Sequence, residues 1–475
     1  MRNTRAWLGL AILALPTLLV AMDMTALLLA LPQLSADLGA SAVEQLWISD
    51  SYGFLVAGLV ITMGTLGDRI GRRRLLLIGA GAFAVLSVVA AFATSPLMLI
   101  VVRALLGAAG ATLMPSTLAL ITTMFLDARD RGLAISIWAT CQFTGGALGP
   151  VFAGFVLDRF WWGSIFLVAV PAMLLLLLAG PLLLPEFRSD RAGRLDPAGV
   201  ALSLTAILCA VYGIKQLATG DATGAPAAAI IAGTFFVRRQ LHTSTPLLDL
   251  RLFRSRPFTA VIVALVFAGI AMAGTGLLVT QYLQGVLGYS PFVSAVLFAP
   301  MGLGVAAGTL TAPLLARRMR PTSAIAGGLA LSALGSLLLT SADGPVLVIT
   351  GSTVLALGTG PLFALGTGLV VSSVPPERAG SAAAVSETGN YLGGSLGFAL
   401  LGVVAAAVYR ARAGGTSDSL AGALAAQDPA LLHTAREAFT AALHVTGLLV
   451  TLIFVGLTTL LLAVARSGST VQIDR

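Results

Sequence analysis

Few ionisable side chains lie inside long apolar stretches, and Asp23, Asp50, Arg103 and Glu387 stand out among them. Asp23 sits in Ala-Met-Asp-Met-Thr, Asp50 shortly after Trp47, and Glu387 in Ser-Glu-Thr-Gly-Asn-Tyr. Charge in an apolar medium is costly, so such residues mark functional sites by default. A carboxyl group in a low-dielectric cavity can carry a proton in one setting and release it in another. Ionised, the same group attracts an organic cation, so one side chain can exchange protons for cations. The competing reading is that the acids only pair with polar partners and lock helices together. Asp50, nearest the interface, could also be solvated. For Arg103, direct ligand contact stands beside a structural role or an electrostatic one that tunes a nearby carboxylate.

Aromatic side chains near these positions add a second kind of chemistry. Trp47, Tyr52, Trp138, Phe143, Tyr282 and Tyr391 could stack on a lipophilic cation. Trp47 fits an interfacial anchor equally well. Other chemistries find no support. His242, His433 and His444 share no metal-ligand spacing with each other or with Cys141 and Cys209, which read as small packing residues. No GxxxxGK[ST] loop or nucleophile–base pattern is present. The chain is therefore expected to be no enzyme and to use no metal, cofactor or ATP.

The elements that must position these residues are membrane helices. Of 475 residues 57% are hydrophobic and 10% charged, far below the roughly 25% charged of soluble domains. A spanning helix needs about 20 apolar residues. Fourteen stretches qualify, at 7–31, 44–66, 75–94, 97–124, 132–157, 164–184, 197–217, 223–237, 258–284, 291–315, 321–341, 344–374, 379–409 and 440–465. The eighth is the shortest and could fall short of a full crossing. With all of them counted, 22 of the 28 basic residues fall on one side. By the positive-inside rule that side is cytoplasmic, and both termini lie there. The net charge of +8 thus reflects topology rather than nucleic-acid binding. Lys215 alone among 27 arginines fits GC-rich bacterial coding, and so a bacterial cytoplasmic membrane. Polar loops at 185–197 and 238–257 divide the chain into a six-helix bundle (1–187), two inserted helices with flanking loops (188–250) and a second six-helix bundle (251–475); an extracellular loop covers 411–436.

Two further runs are informative. Gly64-Thr-Leu-Gly-Asp-Arg-Ile-Gly-Arg-Arg-Arg74 packs one acid and four arginines into a turn between two spans. Gly145, Gly149, Pro150 and Gly154 line the middle of the fifth span. Glycines let helices approach closely and proline removes a backbone bond, so this segment is a tight packing face or a hinge-like seam.

Together these motifs resemble the 14-helix drug:proton antiporters of the major facilitator superfamily, in the QacA-like branch. Gly64, Leu66, Asp68, Arg69, Gly71, Arg72 and Arg73 match its loop between helices two and three. Leu99–Ala111, with Arg103 and Gly107, matches the helix-four motif tied to proton coupling, and Gly145, Gly149, Pro150 and Gly154 match the antiporter motif of helix five. Met22–Thr25 with Ala30–Pro32 matches the helix-one signature; Leu195–Gly199 and Pro246–Phe253 look like the entries to helices seven and nine. The chain departs from the family at Leu28 and Ala169, where asparagines are usual, and at Val305 and Tyr391, where multi-acid relatives carry extra acids.

The resemblance implies two six-helix bundles with two inserted helices, opening alternately to each side. The implied activity is proton-driven export of lipophilic, cationic drugs from the cytoplasm or inner leaflet, conferring resistance. Its partners are those cations, protons and membrane lipid, and it acts as a monomer. Asp23, Glu387, Asp50 and Arg103 would carry proton and substrate; Gly64, Asp68, Arg69, Gly71, Arg72 and Arg73 would form a conformational latch; Gly145, Gly149, Pro150 and Gly154 an antiporter seam. Two rivals remain: a dedicated exporter of one self-made metabolite, and a non-transporting sensor or scaffold.

Overall fold

A computed structural model describes residues 2–40, 42–157, 159–188, 196–219, 224–243, 250–372, 374, 379–414, 420, 423 and 428–469. The first helices are α1 (Arg2–Leu38), α2 (Ala42–Ile70), α3 (Arg72–Ala91), α4 (Pro96–Met124), α5 (Ala128–Leu157) and α6 (Ser164–Leu183). There follow α7 (Pro197–Thr219) and α8 (Ala225–His242). The last are α9 (Arg256–Val286), α10 (Pro291–Arg318), α11 (Pro321–Ser341), α12 (Pro345–Ser372), α13 (Ala379–Ala413) and α14 (Pro429–Ser469). Eleven helices among the described residues are long and apolar enough to cross a membrane, namely α1, α3 to α6 and α9 to α14. The chain is thus an all-helical, multi-pass membrane protein. α2, α7 and α8 are helical over the second, seventh and eighth expected spans. α8 runs past the expected end at Val237 to His242, so Arg238 and Arg239 sit on a helix rather than in a loop. Parts of the polar loops (189–195, 244–249, 415–419, 421–422 and 424–427) and Arg378 lie outside the described residues, as do the side chains of Asp50, Leu28 and Lys215.

Local chemistry sets the helix ends. Ser95 and Ser290 accept hydrogen bonds from the N–H groups of Met98 and Val293, capping α4 and α10, and each is followed by proline at the first helical position. Proline fits there because its missing N–H would be unpaired anyway. Between α2 and α3 a single residue makes the turn: Gly71, at φ 111°, a region that disfavours any side chain.

The helices gather into two compact units: Met1–Gly213 with Thr223–Thr259 and Thr367–Tyr391, and Ile214–Ala222 with Ala260–Gly366 and Leu392–Arg475. Within each, one packing scheme recurs. In unit 1, α1 packs on α5, α2 on α4, and α3 on both α4 and α6. In unit 2, α10 packs on α12, and α11 on both α12 and α14. The counterpart of the α1–α5 contact is α9 on α13, where Gly393 and Gly397 meet the backbone of Val266 and Ile270. On α5, a Cβ at Gly145 would strike the carbonyl of Leu18, and one at Gly149 would strike Thr25 and Met22. Backbone-to-backbone approach is what small residues permit within a membrane, where burying apolar surface supplies no drive between helices.

The α7–α8 pair seats on α2. Leu204 fills the place a side chain at Gly58 would take, Val60 and Ile61 pack with Val200 and Phe236, and the Tyr212 ring stacks on Trp47 at 6.3 Å. At its other end, buried Asp196 joins the two helices. It accepts from the N–H of Gly199 at 3.0 Å, capping α7, and from Arg239 Nε of α8 at 2.8 Å. The Arg239 hydrogen bonds, with those from the Gly199 and Ala198 backbone, hold the Asp196 carboxyl below the usual carboxylate range, against the opposing effect of burial.

Two predictions follow from the packing. Ala at Gly149 should lower the melting temperature in detergent and weaken α1–α5 packing. Ala at Gly146, which has nothing within 4 Å, should be neutral or stabilising by up to about 1 kcal/mol. For Asp196, a depressed folded-state pKa means its contribution is present above the unfolded value near ~3.9 and is lost as pH falls below it. Melting from pH 7 to pH 3 should therefore show wild type and Asp196→Asn well separated at neutral pH and converging on acidification.

Candidate functional site

The arrangement of α2 and α4 explains where Arg103 points. A Cβ at Gly107 would strike the Tyr52 carbonyl, and one at Gly110 would meet the Tyr52 hydroxyl oxygen at 2.6 Å. This close approach lets Arg103, one turn earlier on α4, reach across to α2 and α1. Its Nη1 donates to Asp23 Oδ2 at 2.7 Å and its Nε to the Ile48 carbonyl at 3.4 Å. The guanidinium lies 4.7 Å from the centre of the Tyr52 ring and 5.9 Å from that of Phe166. Arg103 and Asp23 are 1% and 7% exposed, so the pair is shielded from water. Removing one partner of such a pair costs roughly 3–5 kcal/mol, because the other is left buried and uncompensated.

Glu387, on α13 but within unit 1, is also buried, at 3% exposed. Its environment differs. It is hydrogen-bonded to the side-chain amide of Gln142 on α5, a neutral partner. Its Oε2 has no hydrogen-bond partner, and no cation among the described residues pairs with it. Tyr391, one helical turn on, packs against the unit 1 core and lies within electrostatic reach of both Glu387 and Tyr52. Tyr52 in turn feels Asp23 and Arg103. The Tyr52 hydroxyl is buried with no hydrogen-bond partner. The structure thus brings Asp23, Arg103, Tyr52, Tyr391 and Glu387 into one unit, carried on α1, α2, α4 and α13, while Asp50 occupies α2 with its side chain outside the described residues.

The remaining aromatic candidates differ in their surroundings. Trp138 is 1% exposed, in the unit 1 core, and donates to Thr117 Oγ1 at 3.1 Å. Trp47 is 42% exposed and held between Tyr212 and Phe54. Phe143 is half-buried on α5. Tyr282 is buried in the core of unit 2, at a π-helical turn spanning Tyr282–Val286.

The charged turn forms a second cluster. Asp68 and Arg72 are both buried and ion-paired, Gly64 is buried, Arg69 is half-buried and Arg74 is exposed. The Arg72 N–H donates to the Phe187 carbonyl at 3.0 Å, and Arg73 Nη1 to the carbonyls of Pro181 and Leu184 at 3.1 and 3.0 Å. Glu186 accepts from the Arg73 N–H at 3.2 Å and lies beneath Gly71, where a Cβ would sit 2.6 Å from its Oε1. The turn is thereby tied to the end of α6. Glu186 and Gln142 do not stand out in the sequence as site members. The signals for them are an acid directly after Pro185 at the end of a span, and an amide within one.

The family model of the Major Facilitator Superfamily matches residues 13–398. The chain belongs to the Major Facilitator Superfamily. It is 41% identical over 471 residues to the multidrug efflux pump LfrA of Mycolicibacterium smegmatis, covering 94% of each chain. It is 34% identical to the methyl viologen resistance protein SmvA of Salmonella typhimurium, over 84% of this chain and 82% of that one. To the tetracenomycin C resistance and export protein of Streptomyces glaucescens it is 33% identical, over 85% and 76%. Among solved structures, the human organic anion transporter MFSD10 (TETRAN) superposes with a TM-score of 0.65 over 94% of this chain and 98% of its own; at 15% identity that likeness concerns the fold. A member of this superfamily whose relatives are named as efflux, resistance and export proteins is a transporter.

Gly71 offers a direct check of the second cluster in this major facilitator. Gly71→Ala combines a positive φ with a collision against Glu186, a strain of about 1–3 kcal/mol. It should lower the melting temperature, whereas Arg74→Ala, at an exposed position, should leave it within error.

Proposed function

We propose that this protein is a proton-coupled antiporter of the bacterial cytoplasmic membrane that exports lipophilic cations, including quaternary ammonium compounds, dyes and antiseptics. The observation that carries the reading is Glu387: a buried carboxyl with a neutral hydrogen-bond partner and no counter-cation among the described residues. A cation or a proton would each complete it. Facing inward, ionised Glu387 takes a cation from the cytoplasm or inner leaflet. Facing outward, an external proton displaces that cation, and the protonated carrier returns. Asp23, held by Arg103, sets the field around the exchange, with Asp50 an auxiliary acid.

The wider organisation proposed is fourteen spans with both termini cytoplasmic, as bundles over 1–187 and 251–475 with α7 and α8 inserted. The recurrence of one packing scheme in both units supports two related bundles. Asp68 and the neighbouring arginines act as the latch of one access state, and the Gly145–Gly154 face of α5 as the antiporter seam. The carrier works as a monomer on the proton gradient, without metal, cofactor or ATP. A second reading, export of one self-made antibiotic, draws support from the relative named for tetracenomycin C export.

Efflux of ethidium from cells of an efflux-deficient host tests the proposal. Glu387→Gln should abolish efflux driven by a pH gradient, and Asp23→Asn should reduce it by about tenfold or more, since Arg103 would be left unpaired. Unchanged efflux in Asp23→Asn would remove that residue from the mechanism, and unchanged efflux in Glu387→Gln would end the reading itself.

A further inference from the structure

Within unit 2, the end where α9 meets α14 holds a polar cluster that the site in unit 1 does not use. Arg436, Thr440 and His444 follow at four-residue intervals and so share one face of α14. Arg436 Nε donates to the Gly285 carbonyl at 3.3 Å, inside the π-helical turn Tyr282–Val286. The buried Tyr282 hydroxyl is hydrogen-bonded to Thr440, whose own hydroxyl donates to the Arg436 carbonyl at 2.9 Å. His444 Nε2 lies 3.3 Å from the Ala342 carbonyl and 3.8 Å from Asp343 Oδ1, on the connection between α11 and α12. Gly447 gives His444 that reach, because a Cβ there would sit 3.1 Å from that of Leu339 at the end of α11. Further along, Thr451 Oγ1 donates to Ser336 Oγ of α11 at 2.9 Å. One face of α14 therefore ties the π turn of α9 to the α11–α12 connection. Its outermost link depends on pH. Imidazole is the side chain that changes charge between pH 5 and 8, and only its protonated form pairs with a carboxylate. Asp343 is exposed and His444 partly so, which opens the pair to the solvent at this end. The titratable and charged groups around it are Asp343 on the connection, Tyr282 on α9, Tyr409 in the same apolar cluster on α13, and Arg436 and Glu437 on α14 itself. Arg410 and Arg412, at the end of α13, are exposed.

We infer that this end of unit 2 is a proton-sensitive clasp, in which protonated His444 pairs with Asp343 and α14 holds the π turn of α9, while neutral His444 lets go. The pair fixes α14 against the α11–α12 connection, and that position keeps Thr440 and Arg436 in register with Tyr282 and Gly285. A π turn carries one residue more per loop than an α-helix and recurs at functional sites, so it is a place where a helix can reset. The sign is that of a histidine gaining an anionic partner: the clasp is closed in acid and opens as pH rises. In the orientation proposed above, this end faces the outside. The clasp itself is independent of the exchange at Glu387.

Hydrogen–deuterium exchange of the purified full-length protein in detergent reads the π turn directly. Both ends of the protein then meet the same pH, so the result does not depend on orientation. Corrected for intrinsic rates, the amides of 282–289 should exchange about two- to fivefold more slowly at pH 5.5 than at pH 8, the range expected of a solvent-exposed ion pair. Asp343→Asn and His444→Gln should each remove that difference, and the double variant should behave as either single one does. His433→Gln should keep it, because His433 and Glu437 are both exposed and their contact runs along α14 without touching a second helix. The wild-type comparison of the two pH values requires no variant to fold. Equal corrected exchange at both pH values, a difference that survives in Asp343→Asn, or its loss in His433→Gln would each overturn the inference.

Discussion

The ion pair between Asp23 and Arg103 is the constraint on which the rest of unit 1 depends. A guanidinium in the interior of a membrane helix bundle is tolerated only when its charge and its donors are answered. Here α1 supplies the carboxylate, α2 supplies a carbonyl and an aromatic face, and α4 supplies the arginine. All three helices must therefore keep their register. Gly107 and Gly110 exist in that register because any larger residue would push α2 away and break the reach of Arg103.

This pairing divides the labour between two acids that look alike in sequence. Asp23 is satisfied by a fixed positive charge, whereas Glu387 is met by an amide and is left with one oxygen unbonded. A satisfied pair resists change, whereas the open oxygen of Glu387 is what the proposed exchange rests on. The aromatic residues divide in the same way. Tyr52 is committed to Arg103, and Trp138 to the core through Thr117. Stacking on an internal cation leaves the Tyr52 face less available to a ligand.

The charged turn between α2 and α3 acts at a different level. Buried Asp68 and Arg72 satisfy each other, and Arg73 and Glu186 fasten the turn to the end of α6. The turn is a joint between helices rather than a binding surface. The Asp196–Arg239 contact plays a comparable part for α7 and α8, so charge concentrates where helices must be held together at their ends.

Much of the fold was legible in the chain itself. Long apolar stretches dictate helices because lipid offers no partner for a free backbone. The charged run around Gly71, Arg103 within the fourth span and the glycine face of α5 were readable as local chemistry, and together they resemble one family's motifs. What the sequence could not tell was pairing. Asp23 and Arg103 are 80 residues apart, and nothing in either local segment says that one answers the other. Nor does the segment around Glu387 reveal that Gln142, on α5, is its partner, or that Asp196 would meet Arg239 on a helix expected to end before it. Composition and periodicity report how each helix meets its solvent. Which of two buried acids remains open to a proton depends on which helix faces come close enough to touch, and only the tertiary structure decides that.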